Sequence, residues 1–231
     1  MFDGKMKAVT FSYDDGVTQD KRLIEIFDYY GLKATFNLNS ELLGVKTRIE
    51  RMGREISHNR FEPEELTDVY KGHEVAVHTL THPNLTQVDA DEVIRQVNED
   101  QKNLERLCGC KIRGMAYPGG GVNYTDEVAD IIGAHTNLAY ARTTVSTHDF
   151  ELQQDLLRFK PTVYHVDQEM VSQLTDRFLA MEPEKPQLFY IWGHSYEFDA
   201  ADSWRWFEGI CKRLAGKDDI FYGTNSQVLL G

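Results

Sequence analysis

The sequence is poor in cysteine and proline and has no long apolar run, and each shortage argues against a class of protein. Its three cysteines, Cys108, Cys110 and Cys211, make an odd set, and Cys108-Gly109-Cys110 is too cramped for an easy bridge. Free thiols in a reducing compartment are therefore expected. No stretch approaches the ~20 apolar residues of a membrane span. Residues 1–5 lack the basic segment, apolar run and small-residue cleavage site of a secretory signal, so a cytoplasmic location is expected. Basic blocks are missing too: 25 lysines and arginines face 37 aspartates and glutamates, and a net charge of −12 repels polyanions. Neither nucleic acid nor an anionic membrane is an expected partner. With no linker, low-complexity tract or internal repeat, the 231 residues read as one domain over residues 1–231 with a sizeable core.

What is present is an alternation of strands and helices. Apolar runs mark strands at residues 7–12, 33–38, 75–77, 114–117, 138–141, 188–192 and 220–222. Helical spacing marks residues 18–30, where Leu23, Ile24, Phe27 and Tyr30 share a face before Gly31, and residues 89–108, 125–132, 167–181 and 203–215. Pro63 opens a shorter helix ending at Gly72. This rhythm predicts a parallel sheet with helical crossovers. Asp14-Asp15, His78, Pro118-Gly119, Arg142 and His194 each follow a different strand, which is where barrel enzymes collect their chemistry. The fold class predicted is α/β, a distorted parallel (β/α) barrel of about seven strands. Residues 40–60, carrying Arg48, Arg51 and Arg54, read as a solvated insertion, with a border to a substrate groove as the alternative.

His78 and His82 stand four residues apart, a spacing that lets two imidazoles converge if the chain turns helically between them. Asp15 is the natural third ligand, because two histidines and one carboxylate hold a catalytic metal while leaving a position open. Asp14 would then be the base that takes a proton from water. His194 can protonate a leaving group, oriented by Glu197, Asp149 or Asp199. His58, His135, His148 and His165 have no partner at a useful spacing and read as ordinary histidines; His73 and Glu74 read as structural. Tyr117, Trp192, Tyr196, Trp204 and Trp206 could pave a sugar-binding floor.

This combination resembles the polysaccharide deacetylases, carbohydrate esterase family four. Residues 10–16, Thr-Phe-Ser-Tyr-Asp-Asp-Gly, are similar to the family's first motif, whose first aspartate is the base and second a metal ligand; residues 78–82 are similar to the second, which supplies both histidine ligands. Residues 116–120 resemble the third motif, implying that Tyr117, Pro118 and Gly119 line the groove and that a backbone N–H near Gly119 serves the oxyanion. Residues 188–194 resemble the fifth, ending in the catalytic histidine. The resemblance implies a divalent metal, zinc first, with cobalt, nickel or manganese as alternatives, and hydrolytic removal of acetyl groups from N-acetylated amino sugars or acetylated carbohydrates. Alternative readings are an esterase or non-sugar amide hydrolase acting on a small acylated substrate, a non-haem iron oxygenase built on the same triad, and a carbohydrate-binding protein on an inactive barrel. One departure stands out: Ala116 occupies the position of the family's base-pairing arginine. Arg142, after the next strand, can reach into the same space and hold Asp14, the alternative being a surface or substrate-contacting arginine.

Overall fold

The computed structural model describes residues 2–231. Strands β1 (Lys7–Asp14), β2 (Ala34–Leu38), β5 (Glu74–Val77), β6 (Gly114–Ala116), β7 (Tyr140–Arg142), β8 (Val163–Tyr164), β9 (Gln187–Gly193) and β10 (Ile220–Tyr222) form one sheet, and β3 (Arg48–Arg51) with β4 (Arg54–Ser57) forms a separate hairpin. The helices are α1 (Asp20–Tyr30), α2 (Leu66–Val69), α3 (Ala90–Cys108), α4 (Asp126–His135), α5 (Gln168–Ala180), α6 (Tyr196–Ala201), α7 (Trp204–Leu214) and α8 (Asn225–Leu229). The main sheet runs β7-β6-β5-β2-β1-β9-β8, every pair parallel, and curls into a half-barrel. β10 pairs with Lys7, Ala8 and Val9 below the point where β2 joins β1, and a lone bridge from Arg142 to Phe159 links β7 towards the segment before β8. The distorted parallel barrel expected from the sequence is thus observed. β8 escapes pattern reading because two residues carry no periodicity.

Strict alternation along β1 separates two environments. Val9, Phe11 and Tyr13 pack outward with Phe27 of α1 and Phe207 of α7, whereas Ala8, Thr10, Ser12 and Asp14 face the concave side. That concave side has an apolar patch of Ala8, Tyr140, Phe159, Leu188 and Tyr190, and beside it a column of hydrogen-bonded polar groups. α8, opened by a capping box between Thr224 and Gln227, feeds Asn225 into the column. Its amide donates to the Tyr190 hydroxyl at 2.6 Å, its carbonyl accepts from Thr10 at 3.0 Å, and its backbone N–H donates to Thr35 at 2.8 Å. Next door Ser226 and Tyr140 both donate to Glu74, which agrees with a structural role for that residue.

Residues 40–60 differ from the expectation. Ile49 and Ile56 on the hairpin pack with Val17, Tyr196 and Ala200, and Thr18 N–H donates to the Asn59 carbonyl at 2.8 Å. A hairpin with one apolar face laid on the loops at the strand ends is no solvated excursion, and of its three arginines Arg51 turns inward to Glu197 while Arg48 and Arg54 stay exposed. Replacing Asn225 by alanine should orphan several buried partners and destabilise the fold by about 2–3 kcal/mol, read as a lower urea midpoint at unchanged slope.

Candidate metal centre and active site

Asp14 and Asp15 part company because of backbone geometry. Asp14 ends β1 and keeps the inward direction that alternation dictates, while Asp15 follows in the left-handed region at φ 83°, which is rare for a residue with a side chain and turns its carboxylate elsewhere. His78 emerges one residue beyond β5. No helical turn joins it to His82; instead Thr79 and His82 take left-handed φ values of 68° and 61°, and Asn39 holds the bend by donating to the Thr79 carbonyl at 2.9 Å. The imidazole centroids lie 4.9 Å apart. Asp15 Oδ1 is 3.5 Å from His82 Nε2 and 3.8 Å from His78 Nε2.

Two atoms of this cluster, Asp15 Oδ1 and His78 Nε2, are buried and lack any hydrogen-bond partner. Each has been left so by its neighbours. His78 Nδ1 sits 2.9 Å from the Ala116 carbonyl, which can only accept, so the ring's proton is on Nδ1 and Nε2 keeps its lone pair. Arg60 Nη1 donates to His58 Nδ1 at 3.4 Å, so His58 gives its Nε2 proton to Asp15 Oδ2 at 3.2 Å. Arg60 Nε also fixes the strained Asp15 backbone through its carbonyl, at 3.1 Å. Burial holds His78 down at about 4, hence neutral. Burial pushes the Asp15 carboxyl up, but the His58 hydrogen bond and the surrounding imidazoles outweigh it and hold the group well below the usual carboxylate range. One anionic oxygen and two imidazole lone pairs aimed at a common point fit a small divalent cation.

Asp14 is clamped. Arg142 Nη2 donates to both its oxygens, at 2.6 Å to Oδ1, and Asn37 adds a hydrogen bond at 2.8 Å. The sheet register shows how Arg142 compensates for Ala116: the two are partners across β6 and β7, so the guanidinium arrives from the adjoining strand at the same level. The arginine is fully buried, stacked over Trp192 at 4.4 Å.

His194, one residue past β9, points Nε2 towards Asp14 Oδ2 at 4.0 Å and donates Nδ1 to Glu197 Oε2 at 3.2 Å. Among the three orienting carboxylates the sequence allowed, the structure selects Glu197; Asp199 instead accepts from Trp204 Nε1 and Asp149 from the Glu151 N–H. Glu197 also accepts from His165 Nε2 at 3.0 Å, from Arg51 Nε at 3.1 Å and from the Tyr164 hydroxyl. Burial alone would hold His194 down, but the charges of Glu197, Asp15 and Asp14 push it up to about 9. Gly193 lets the His165 ring approach, since a Cβ there would lie 2.7 Å from it. His58, His165 and Arg51, none of them assigned a site role from spacing, thus all serve the site. Only Glu197, three residues after His194, carried a local signal.

These groups open into a cavity of about 420 Å³ lined by Asp14, Asp15, His82, His194, Gly119, Gly120, Gly121, Thr144, Arg51, Tyr164, Trp192 and Tyr196. Tyr117 and Pro118, expected in its lining, are not there. Tyr117 stacks on Tyr124 and donates its hydroxyl to the Leu157 carbonyl, because alternation along β6 turns it away, and Pro118 is buried. Trp204 and Trp206 pack against Phe198 and Phe207 rather than paving a floor.

Asp20 ties this arrangement to α1, accepting from Ser195 Oγ at 2.5 Å and from Tyr70 at 2.8 Å. Burial raises its carboxyl to about 7. A raised folded-state pKa contributes stability that is complete below the unfolded value near 4 and lost as pH rises through about 7. The stability difference between the native chain and Asp20→Asn should therefore shift against the native chain from pH 4 to 7, as urea unfolding at several pH values would show.

A family model described as polysaccharide deacetylase matches residues 3–143. The peptidoglycan-N-acetylmuramic acid deacetylase PdaC of Bacillus subtilis is 27% identical over 125 residues, covering 52% of this chain and 23% of that protein. The chain thus spans about a quarter of that curated relative. A mutant structure of PdaC superposes with TM-score 0.58 at 20% identity, covering 96% of this chain and 90% of that one. A T48 deacetylase with substrate superposes with TM-score 0.59 at 15% identity, covering 100% and 94%. A Bacillus anthracis protein described as a pseudoenzyme of carbohydrate esterase family four superposes with TM-score 0.56 at 18% identity, covering 96% and 65%.

Proposed function

Because the chain belongs to the polysaccharide deacetylase family, as the match over residues 3–143 establishes, we propose that it is a metal-dependent hydrolase removing acetyl groups from N-acetylated amino sugars or acetylated carbohydrates. The observation that carries the metal assignment is the pair of buried, unpartnered atoms, Asp15 Oδ1 and His78 Nε2, converging with His82. Asp15, His78 and His82 would hold a divalent ion, zinc foremost, which when bound supplies Lewis acidity to the acyl carbonyl and the attacking water.

Asp14, held between Arg142 and Asn37, takes the proton from the attacking water. A backbone N–H near Gly119, on the loop whose carbonyl Asn123 holds at 3.0 Å, faces the developing oxyanion. His194 gives its proton to the departing amine, and the carboxylates beside it favour the protonated state this role requires. Glu197 fixes the imidazole and Arg51 and His165 fix Glu197. Intact Asp14, Asp15, His78, His82 and His194 support turnover over mere carbohydrate binding, although one structural relative is a pseudoenzyme.

Metal analysis of protein purified without added metal, followed by acetate release from N-acetyl sugars, acetylated xylan and small amides, tests the reading. Asp15→Asn, His78→Ala and His82→Ala should lose bound metal, whereas Asp14→Asn should keep it and lose turnover; equal metal loss in all four would sink the division of labour. Arg142→Met should lower kcat about 10²-fold or more with metal content retained, and an effect confined to KM would reassign Arg142 to substrate contact. His194→Ala should impair amides far more than esters with good leaving groups, checked by the ratio of the two kcat/KM values.

A further inference from the structure

Tyrosine hydroxyls usually find a partner when the ring is buried. Six tyrosines of this chain are buried, and five obey the rule: Tyr70 donates to Asp20, Tyr117 to the Leu157 carbonyl and Tyr140 to Glu74, Tyr13 pairs with His165 Nδ1, and Tyr190 accepts from Asn225. Tyr196 is the exception. Its hydroxyl has no hydrogen-bond partner among the described residues, it is not one of the polar atoms sealed off from solvent, and the residue lines the cavity. Trp192 Nε1 on the same wall also lacks a partner, but that atom is fully buried.

The ring of Tyr196 is held from several sides. It opens α6 two residues after His194 and packs with Val17, Ile56 and Ala200. Its centroid lies 5.1 Å from that of the His194 ring and 4.9 Å from that of His58, the donor to Asp15. So enclosed, the residue is only 7% exposed, and a ring in that position does not pave a floor for a sugar. What it offers the cavity is its hydroxyl. Burial pushes the phenol up, and the charges of Asp15 and Glu197 push it further, so it keeps its proton and can donate.

Its neighbours define what that hydroxyl meets. In the proposed reaction His194 serves the departing nitrogen and the Asp15 cluster serves the acyl oxygen, and Tyr196 packs against His194 on one side and against Asp15's partner His58 on the other. A group under attack between those two sites therefore presents its oxygen near the free hydroxyl. Charge grows on that oxygen during attack, so a donor already fixed beside it contributes more to the transition state than to the ground state.

We infer that the Tyr196 hydroxyl donates a hydrogen bond to the acyl oxygen as that oxygen becomes negative, a second donor beside the backbone N–H near Gly119 and a further catalytic group for the proposed reaction. The phenol keeps its proton, and no bond to it forms or breaks. This rests on the deacetylase reading and deepens it. The test compares the zinc-loaded full chain with its Tyr196→Phe variant, which keeps the ring and removes only the donor. Acetate release is measured from N-acetylglucosamine and chitotetraose, and calorimetry follows binding of the methylphosphonamidate of glucosamine, a tetrahedral anionic mimic of the attacked acyl group. The variant should lower kcat about 10²-fold and weaken the phosphonamidate by a similar factor, with KM and zinc content unchanged. Its urea midpoint should not fall, because the hydroxyl has no partner to orphan. A raised KM with kcat intact would make Tyr196 a sugar contact, and loss of zinc or a lower urea midpoint would make it a support for His58 and Asp15. Unchanged kcat and phosphonamidate affinity would remove it from the reaction. Each of these overturns the inference and leaves the deacetylase reading standing, whereas no acetate from the native chain with either sugar sinks that reading and the role of Tyr196 with it.

Discussion

The arrangement at the strand ends depends on one buried ion pair, Asp14 with Arg142. Both side chains are almost wholly removed from water, and a buried charge left without its partner is strongly destabilising. The surroundings meet much of that demand, with Arg142 Nε left buried and without a partner. Asn37 satisfies Asp14 from β2, the Thr143 carbonyl accepts from Arg142 Nη1 at 3.3 Å, and the Trp192 ring lies under the guanidinium. Three strands and one aromatic face therefore fix a single carboxylate, and they leave it no freedom to swing towards the neighbouring cluster of Asp15, His78 and His82.

Three carboxylates sit within this small region and acquire different characters from their neighbours. Asp14 meets a permanent cation. Asp15 spends one oxygen on His58 and presents the other, unpartnered, to two imidazoles. Glu197 joins His165 and His194 to Arg51 and is held well below the usual carboxylate range: burial pushes it up, but His194 and His165 outweigh it. The hairpin links the last two, since Arg51 reaches Glu197 and His58 with Arg60 reaches Asp15. Moving it would disturb both the proposed acid and the proposed metal ligand.

The polar column beneath the site sets a line of hydrogen-bonded side chains beside the apolar patch on the concave face. Ser12 and Asn37 hand the hydrogen-bond chain from Asp14 down to Asn225, which ties the carboxy-terminal helix to the centre of the sheet. Such a network is costly when half satisfied and rigid when complete. The end of the chain is thereby part of the foundation of the site.

How much of this was legible follows from the range over which each interaction acts. Strand order of burial, helix caps and the clustering of Asp14, Asp15, His78 and His194 at strand ends follow from local periodicity, and the sequence by itself determined them. Arg142 came within reach through the family resemblance, which marks Ala116 as the place of a base-pairing arginine, together with the rule that adjoining parallel strands place neighbouring ends together. Nothing local marks His58, His165 or Arg51: Arg51 and Glu197 stand 146 positions apart, and the hairpin that joins them looks polar until its apolar face is seen against Val17 and Tyr196. Left-handed turns at Asp15, Thr79 and His82 were equally hidden, since those residues tolerate such angles only when tertiary contacts hold them there. The sequence chose the chemical groups and the edge of the sheet on which they stand. Only the tertiary structure chose which oxygen stays free, which imidazole nitrogen keeps its lone pair and which carboxylate holds His194, because each depends on a partner delivered from a distant loop.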